Sequence, residues 1–254
     1  YRNTRASFAS EIGYHGCPNV SSIRRFVSAD KVWPWQDNEE WDFHASNPFL
    51  PDNKALNYRT RLMAEQIKEM FGVIPEAIED FVRASQFCQA EAKKYFIELV
   101  RAKPKMSGLL WWNLIDCWPQ FSDAIVDYYF GKKLAYHFIR RVQQPFAIML
   151  PEPAGWHLRV MAANDSSGAC RGSYRIWDAE SGAEFRAGSF DVAPRTVAML
   201  EMVKVCTTEQ RLLLIEWQLE SGVRGVNHAV CGQPQFNLRR ALDCWLPAIA
   251  ALDG

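Results

Sequence analysis

Hydrophobic residues recur with two different periods along the chain, and the change falls near residue 144. Before it, apolar residues at three- and four-residue spacing predict helices over 57–71, 75–102 and 132–142. A shorter helix is predicted from the N-cap candidates at 19–22 to Phe26 or Val27. After residue 144, short alternating runs separated by turn-rich segments are typical of a β-sandwich of about seven strands.

Two predicted strands in the first part end in residues that can do chemistry. The alternating run 5–9 continues into Ser10-Glu11-Ile12-Gly13-Tyr14-His15-Gly16. The nearly continuous apolar run 108–116 predicts a strand covered on both faces, and Cys117-Trp118-Pro119 follows it. In an α/β barrel, catalytic groups are held at the carboxyl ends of strands. From local features alone Glu11 is either such a group or, more often, a cap or a solvated side chain.

No period fits the polar, aromatic segment 32–52, which is therefore predicted to be a long loop. A loop of this length in a compact domain is usually functional or disordered, and its aromatic content argues against disorder. Aromatic rings pack on the flat C–H faces of sugars, so this segment could form a carbohydrate site. The alternative is that its rings only cover the hydrophobic core. The ring-bearing residues are Trp33, Trp35, Trp41, Phe43, His44 and Phe49.

Composition and charge narrow the classes of partner. The 29 basic and 29 acidic residues balance, which argues against nucleic acid and against a membrane surface bound by charge. The longest apolar runs, such as 212–215, are too short to span a membrane, and neither a signal peptide nor an initiator Met is recognised. We therefore expect a piece of a longer protein. The seven dispersed cysteines favour free thiols, no zinc site and, slightly, a cytoplasmic location.

The two strand-end segments together resemble glycoside hydrolase family 2, most closely its β-mannosidase-like branch. Phe8-Ala9-Ser10-Glu11-Ile12-Gly13 is similar to the family's Ser-Glu-(Phe/Tyr)-Gly nucleophile motif at the end of barrel strand seven. The segments 19–26 and 41–44 are similar to those that follow it. Residues 108–119 resemble the strand-eight signature Gly-x-x-x-Trp-Gln-x-Asn-Asp-x-Trp-Pro, and Asp-Tyr and a Lys-led helix follow at 127–128 and 133–136.

The resemblance implies a fold and a chemistry. The fold is α/β plus all-β: 1–143 as the C-terminal part of a (β/α)8 TIM barrel, and 144–254 as an immunoglobulin-like β-sandwich. Glu11 is then the nucleophile of a retaining exo-glycosidase that acts on β-linked mannosides or galactosides without a metal or organic cofactor. Trp112 is expected to pack against the carbohydrate substrate, with a barrel-core Trp as the alternative. Weaker substrate-binding candidates are Asp116, His44 and Trp33.

The chain departs from the family pattern at the substrate contacts and at the second carboxyl group. Asn113 and Ile115 replace the Gln and Asn of strand eight, which leaves the sugar open. The family's acid/base Glu follows an Asn on strand four, so we expect it upstream of this chain. Asn38-Glu39 has the same letters, but it comes after Glu11 and is interpreted as a coincidence.

Two alternatives stand beside the glycosidase interpretation. The first is a catalytically incomplete fragment that folds by assembling with another copy or with its missing N-terminal half, because two barrel strands leave edges unpaired. The second is a carbohydrate-binding module built on the sandwich alone. It is less favoured because Trp156, Trp177 and Trp217 lie in alternating patterns and are predicted to face the core.

Overall fold

A computed structural model describes residues 6–45, 56–103 and 105–253, which form two compact units. The first, here called the helical unit, contains Ser10–Lys94 and Leu110–Phe138. The second, here called the sandwich unit, contains the described residues of 1–9, 95–109 and 139–254. No helix within the described ranges is long and apolar enough to cross a membrane.

Two strands and five helices of the described residues contribute to the helical unit. The strands β1 and β2 form a two-stranded sheet. The longest helix is predicted from its apolar stripe. Its residues Ile78, Phe81 and Val82 are buried. The elements are β1 (Phe8–Gly13), α1 (Val20–Phe26), α2 (Glu39–Phe43), α3 (Leu56–Phe71), α4 (Ile78–Arg101), β2 (Gly108–Trp112) and α5 (Leu134–Val142).

The helices differ from the sequence-based prediction at the start of α4, at the start of α5, which is Leu134 rather than residue 132, and within the segment 32–52. α4 begins at Ile78 rather than at Pro75, because Phe81 N–H makes an i→i−4 hydrogen bond to the Ala77 carbonyl at 3.0 Å. The segment 32–52 contains α2 and is therefore not a continuous loop. The Asn38 side chain caps α2 by accepting hydrogen bonds from two N–H groups of its first turn. Residues 46–52 of that segment, including Phe49, lie outside the described residues.

The predicted strand 108–116 is shorter and more exposed than expected. β2 ends at Trp112, and the side chains of Leu110 and Leu114 are 60% and 56% exposed. The prediction of a strand covered on both faces is therefore wrong for the described chain. Beyond Trp112 the backbone pairs locally instead, with Val126 N–H donating to the Leu114 carbonyl at 2.9 Å.

Seven strands of the described residues form two antiparallel sheets in the sandwich unit, which confirms the predicted sandwich-like architecture. The sheet orders are β3–β4–β7 and β6–β5–β8–β9. β3 is not predicted from the sequence, because all four of its residues are buried and no alternation results. The strands are β3 (Phe146–Met149), β4 (His157–Asn164), β5 (Cys170–Asp178), β6 (Glu184–Val192), β7 (Thr196–Lys204), β8 (Arg211–Leu219) and β9 (Arg224–Cys231).

Aromatic side chains join the two sheets of the sandwich. Phe146 of β3 stacks on Phe190 of β6 with ring centroids 4.8 Å apart, and Trp217 of β8 meets Phe146 edge-on at 6.1 Å. Trp217 faces the core as predicted, and Trp177 is half-buried. Trp156 is 61% exposed because it lies in a turn before β4, so the prediction that it faces the core is wrong.

A buried asparagine closes the turn that follows β4. Asn164 Nδ2 donates to the carbonyls of Gly168 at 2.8 Å and of Val192 and Ala193 at 3.1 Å. Its Oδ1 accepts from the backbone N–H of Ser166 at 3.0 Å. The side chain therefore ties the turn after β4 to the end of β6.

The last residues of the chain form short helical turns held by a buried arginine. These turns are α6 (Leu238–Arg240), a π-helical turn (Ala241–Trp245), α7 (Leu246–Ala250) and a 3₁₀ turn (Ala251–Asp253). The Arg141 guanidinium donates to both carboxylate oxygens of Asp253, at 2.6 and 3.0 Å, and to the Ile249 carbonyl at 3.2 Å. This bidentate pair fixes the end of the chain to α5.

Candidate active site

β1 presents Glu11 on one face and buries Ile12 on the other. Glu11 is exposed whereas Ile12 is buried, as the two-residue alternation of a strand requires. Gly13 follows on the same face as Glu11, and a Cβ at this position would lie 2.7 Å from Asp123 Oδ1. The missing side chain of Gly13 therefore leaves room for the Asp123 carboxylate beside the strand.

Glu11 and Trp112 line one cavity of about 400 Å³ in the helical unit, although they are far apart in the sequence. Trp112 is 52% exposed, so much of its ring surface is open to a ligand. The cavity combines this aromatic surface with acidic and basic side chains. Its lining residues are Glu11, Gly13, Tyr14, His15, Arg59, Leu62, Gln66, Trp112 and Asp123.

A buried lysine holds the main chain at Trp112. Lys93 of α4 is fully buried, and its Nζ donates a hydrogen bond to the Trp112 carbonyl. Burial lowers the pKa of Lys93 to about 8, although the Asp123 carboxylate opposes this shift. The end of β2 is therefore tied to α4 by a group that is costly to bury.

Asp123, His15 and Arg59 form a polar row along the cavity. His15 Nδ1 lies 3.1 Å from Asp123 Oδ1, and His15 Nε2 lies 3.5 Å from Arg59 Nη1. Because a guanidinium only donates, we assign Nε2 as the acceptor and place the proton on Nδ1, which donates to Asp123. Burial alone would raise the pKa of Asp123. The hydrogen bond from His15 and the charges of Lys93 and Arg59 outweigh burial and hold this pKa below its usual range.

The turn after β1 is anchored by Gln89 and Lys133. Gln89 Nε2 donates to the carbonyls of Tyr14 at 3.0 Å and Asp123 at 3.1 Å. Lys133 Nζ donates to the Gly16 carbonyl at 2.7 Å, and burial lowers the pKa of Lys133 although nearby carboxylates oppose this. A Cβ on Gly16 would lie 2.3 Å from Gln89 Cδ, so the packing of this turn requires glycine.

Asp116, a weaker candidate from the sequence, lies outside the lining of this cavity. Its Oδ1 accepts hydrogen bonds from Ser122 Oγ at 2.6 Å and Gln120 Nε2 at 2.7 Å. Burial raises the pKa of Asp116, and the charge of Lys133 opposes this shift. Its bonding organises the loop after β2.

His44 and Trp33 also lie outside the cavity lining. His44 Nδ1 is 2.8 Å from the Pro119 carbonyl, and its ring stacks on Trp118 with centroids 5.5 Å apart. Trp33 Nε1 donates to the Glu76 carbonyl at 2.7 Å. Both rings therefore have partners within the protein.

The Asn38-Glu39 pair has a local role. Asn38 caps α2, and its Nδ2 donates to the carbonyls of Lys31 at 2.7 Å and Pro34 at 2.8 Å. Glu39 is 81% exposed and pairs with Lys31 Nζ at 3.1 Å. Neither residue lines the cavity that contains Glu11.

Three polar residues of the cavity, Asp123, Arg59 and Gln66, are missed by sequence reasoning. They belong to a loop and a helix that only the tertiary structure brings to β1. His15 could have been found from the sequence, since it follows Glu11 within the same short segment, 10–16. Among the described residues, no group of three or more His, Cys, Asp or Glu side chains could hold a metal ion.

The proteins that this chain is similar to include glycosidases. More particularly, they include β-mannosidase B of Thermothelomyces thermophilus, 28% identical over 204 residues, which are 70% of this chain and 23% of that protein. β-Mannosidase B of Emericella nidulans is 31% identical over 147 residues, which are 56% of this chain and 16% of that protein. No protein-family model matches the chain.

Solved structures of glycosidases are also similar to this chain. The β-D-mannosidase of Dictyoglomus thermophilum matches 89% of this chain and 28% of its own, with a TM-score of 0.72 and 25% identity. The Amycolatopsis orientalis exo-chitosanase matches 93% of this chain and 31% of its own, with a TM-score of 0.68 and 18% identity, which shows a shared fold. The expected resemblance to the β-mannosidase-like branch of glycoside hydrolase family 2 is therefore confirmed. The chain spans about a fifth of the length of the curated relatives it matches.

Proposed function

We propose that this chain carries the nucleophile half of the active site of a retaining exo-glycosidase for β-linked sugars, of the β-mannosidase or β-galactosidase type. The observation that carries this proposal is the meeting of Glu11 and Trp112 in one cavity. Glu11 is the nucleophile, and the exposed ring of Trp112 packs against the sugar. The names of the similar proteins favour a β-mannoside.

In the proposed reaction the Glu11 carboxylate attacks the anomeric carbon. The bond from that carbon to the leaving oxygen breaks, and a covalent glycosyl-enzyme forms. A second carboxyl group, about 5 Å from the first in retaining enzymes, protonates the leaving oxygen and then takes a proton from the water that releases the sugar. The reaction needs no metal or organic cofactor.

Asp123 lines the same cavity but does not suit the role of proton donor. Its pKa lies below the usual range, and its Oδ1 accepts a hydrogen bond from His15. A general acid needs a raised pKa so that it is still protonated at working pH. We therefore place the acid/base Glu upstream of this chain, as the family resemblance implies, and expect the 254-residue chain alone to be inactive.

The proposed architecture follows the same resemblance. Residues 1–143 are the C-terminal portion of a TIM-barrel catalytic domain, and 144–254 are an immunoglobulin-like domain. Asp116, His44 and Trp33 stay secondary proposals for substrate contacts. The partners are a carbohydrate substrate and the N-terminal part of the same protein, and neither nucleic acid nor a membrane is proposed.

The test is Glu11→Gln in a full-length protein that contains this chain, assayed on 4-nitrophenyl β-mannoside and β-galactoside. We expect turnover to fall by several orders of magnitude, because the amide keeps the shape but loses the nucleophilic oxygen. Glu39→Gln is the matched control, since it removes only an exposed ion pair and should leave turnover unchanged. A 2-fluoro mannoside with a good leaving group should label the peptide that contains Glu11. Near-normal turnover of Glu11→Gln, or a label elsewhere, would contradict the assignment.

A second candidate function is assembly without catalysis, in which the chain folds onto another copy or a separate N-terminal half. The exposed apolar side chains of Leu110, Leu114 and Ile115 favour it, because such surface promotes association. The molecular mass of the 254-residue chain in solution tests this alternative. A monodisperse, well-folded monomer would count against it.

A further inference from the structure

Arg59 of α3 places a guanidinium in the cavity that contains Glu11 and Trp112. A guanidinium carries five N–H donors in one rigid plane, so a hydrogen bond to one of them restricts the directions of the others. His15 Nε2 takes one donor, at 3.5 Å from Nη1. The orientation of the Arg59 guanidinium therefore depends on its hydrogen bond to His15 Nε2.

His15 lies between Asp123 and Arg59. Its ring is 2% exposed, and its Nδ1–H donates to Asp123 Oδ1, which leaves the Nε2 lone pair towards Arg59. Asp123 is in turn held beside β1, where Gly13 leaves the room that a Cβ would fill. Successive contacts therefore connect β1, which carries the proposed nucleophile, through Asp123 and His15 to the Arg59 guanidinium.

We propose that Arg59 binds hydroxyl oxygens of the sugar in this cavity, and that His15 and Asp123 are positioning residues that hold it there. The inference rests on the proposed function. Sugar hydroxyl oxygens accept hydrogen bonds, and a charged donor makes stronger ones than a neutral donor. Trp112 offers a flat apolar surface for the C–H face of the same sugar, so the cavity presents both kinds of contact that a sugar needs.

The first test measures kcat and KM of Arg59→Ala on 4-nitrophenyl β-mannoside in the full-length protein. We expect kcat/KM to fall about tenfold or more, as for the loss of a hydrogen bond to a charged group. Millimolar guanidinium chloride should restore part of this loss, which it would not do for a residue that only supports the fold. Arg61→Ala is the matched control on the same helix: Arg61 is 68% exposed and pairs with Glu65, so its kinetics should stay at wild-type values.

The second test separates positioning from folding. The neutral His15 donates through one nitrogen and accepts through the other, and a glutamine amide can reproduce this pair with its N–H and its oxygen. We therefore expect His15→Gln to keep most of kcat/KM and His15→Leu to lose as much as Arg59→Ala. Thermal melting of both variants shows whether either change acts through unfolding.

The outcomes distinguish this inference from the function on which it rests. If the wild-type protein cleaves the mannoside and Glu11→Gln does not, wild-type kinetics in Arg59→Ala overturn the role of Arg59 alone. Equal losses in His15→Gln and His15→Leu overturn the positioning role of His15. If the wild-type protein cleaves no aryl β-glycoside, both the proposed function and this inference fail.

Discussion

Gly16→Ala should strain the turn that carries the candidate active site. A Cβ at this position would lie 2.3 Å from Gln89 Cδ and 2.8 Å from Gln89 Cβ, well inside van der Waals contact. The backbone of Gly16 cannot move away cheaply, since its N–H donates to the Ser122 carbonyl at 3.0 Å and its carbonyl accepts from Lys133. Gln89 must therefore give way.

The expected cost has a steric part and a hydrogen-bonding part. Overpacking a filled interior costs about 1–3 kcal/mol. Displacing Gln89 also breaks its bonds to the carbonyls of Tyr14 and Asp123, each with a net contribution of about 1 kcal/mol. Together they predict a loss of about 3–5 kcal/mol, a large share of the roughly 5–15 kcal/mol that stabilises a typical domain.

Urea unfolding of the 254-residue chain, followed by tryptophan fluorescence, measures this loss. Gly168→Ala is the control, because a Cβ at Gly168 would meet nothing within 4 Å, and its effect should stay within about 0.5 kcal/mol. In a Gln89→Gly background the obstructing atoms are gone, so adding Gly16→Ala should cost less than about 1 kcal/mol. Equal effects at Gly16 and Gly168, or the same penalty with and without Gln89, would refute the steric reasoning.

Thiol reactivity should follow exposure. Hydrogen bonds from Thr208 lower the pKa of the exposed Cys206, and burial raises the pKa of Cys17, so Cys206 should react with an aromatic disulfide long before Cys17. Peptide mass mapping would reveal equal rates if this is wrong. Burial alone would raise the pKa of Asp253, but its bonds to Arg141 lower it. The pair therefore stabilises the fold above the unfolded pKa and loses this contribution as the pH falls through the folded pKa. The urea stability of Asp253→Asn should therefore change less with pH in that range than that of wild type. Asn38→Ala should cost about 0.5–2 kcal/mol in the same unfolding assay, because the cap of α2 is lost, and an unchanged midpoint would contradict the capping role.

Elements whose pattern reflects burial on one face could be predicted from the sequence. α3 buries one helical face and β5 alternates between buried and exposed residues, so their periods identify them. β3 is not predicted because burial on both faces removes the alternation. α2 is not predicted because five residues are too few to show a period. The apolar run 108–116 predicts a buried strand, but its apolar residues lie largely exposed in the described chain.

The candidate site was predictable only where a short motif carries it. Glu11 and Trp112 stand in recognisable segments, and the structure brings both to one cavity. Asp123 and Arg59 could not be found this way, because their roles depend on contacts with His15 that arise from tertiary packing. Gly13 and Gly16 are explained only by what a Cβ would strike, which the sequence does not state.

The buried Asn164 has a consequence for covalent modification. The letters Asn164-Asp165-Ser166 match the acceptor pattern for N-linked glycans, in which the sugar is attached to the side-chain amide nitrogen. In the folded sandwich that nitrogen already donates to the carbonyls of Gly168, Val192 and Ala193. A glycan on Asn164 would have to displace these bonds and open the turn, so the folded chain should be a poor acceptor at this motif.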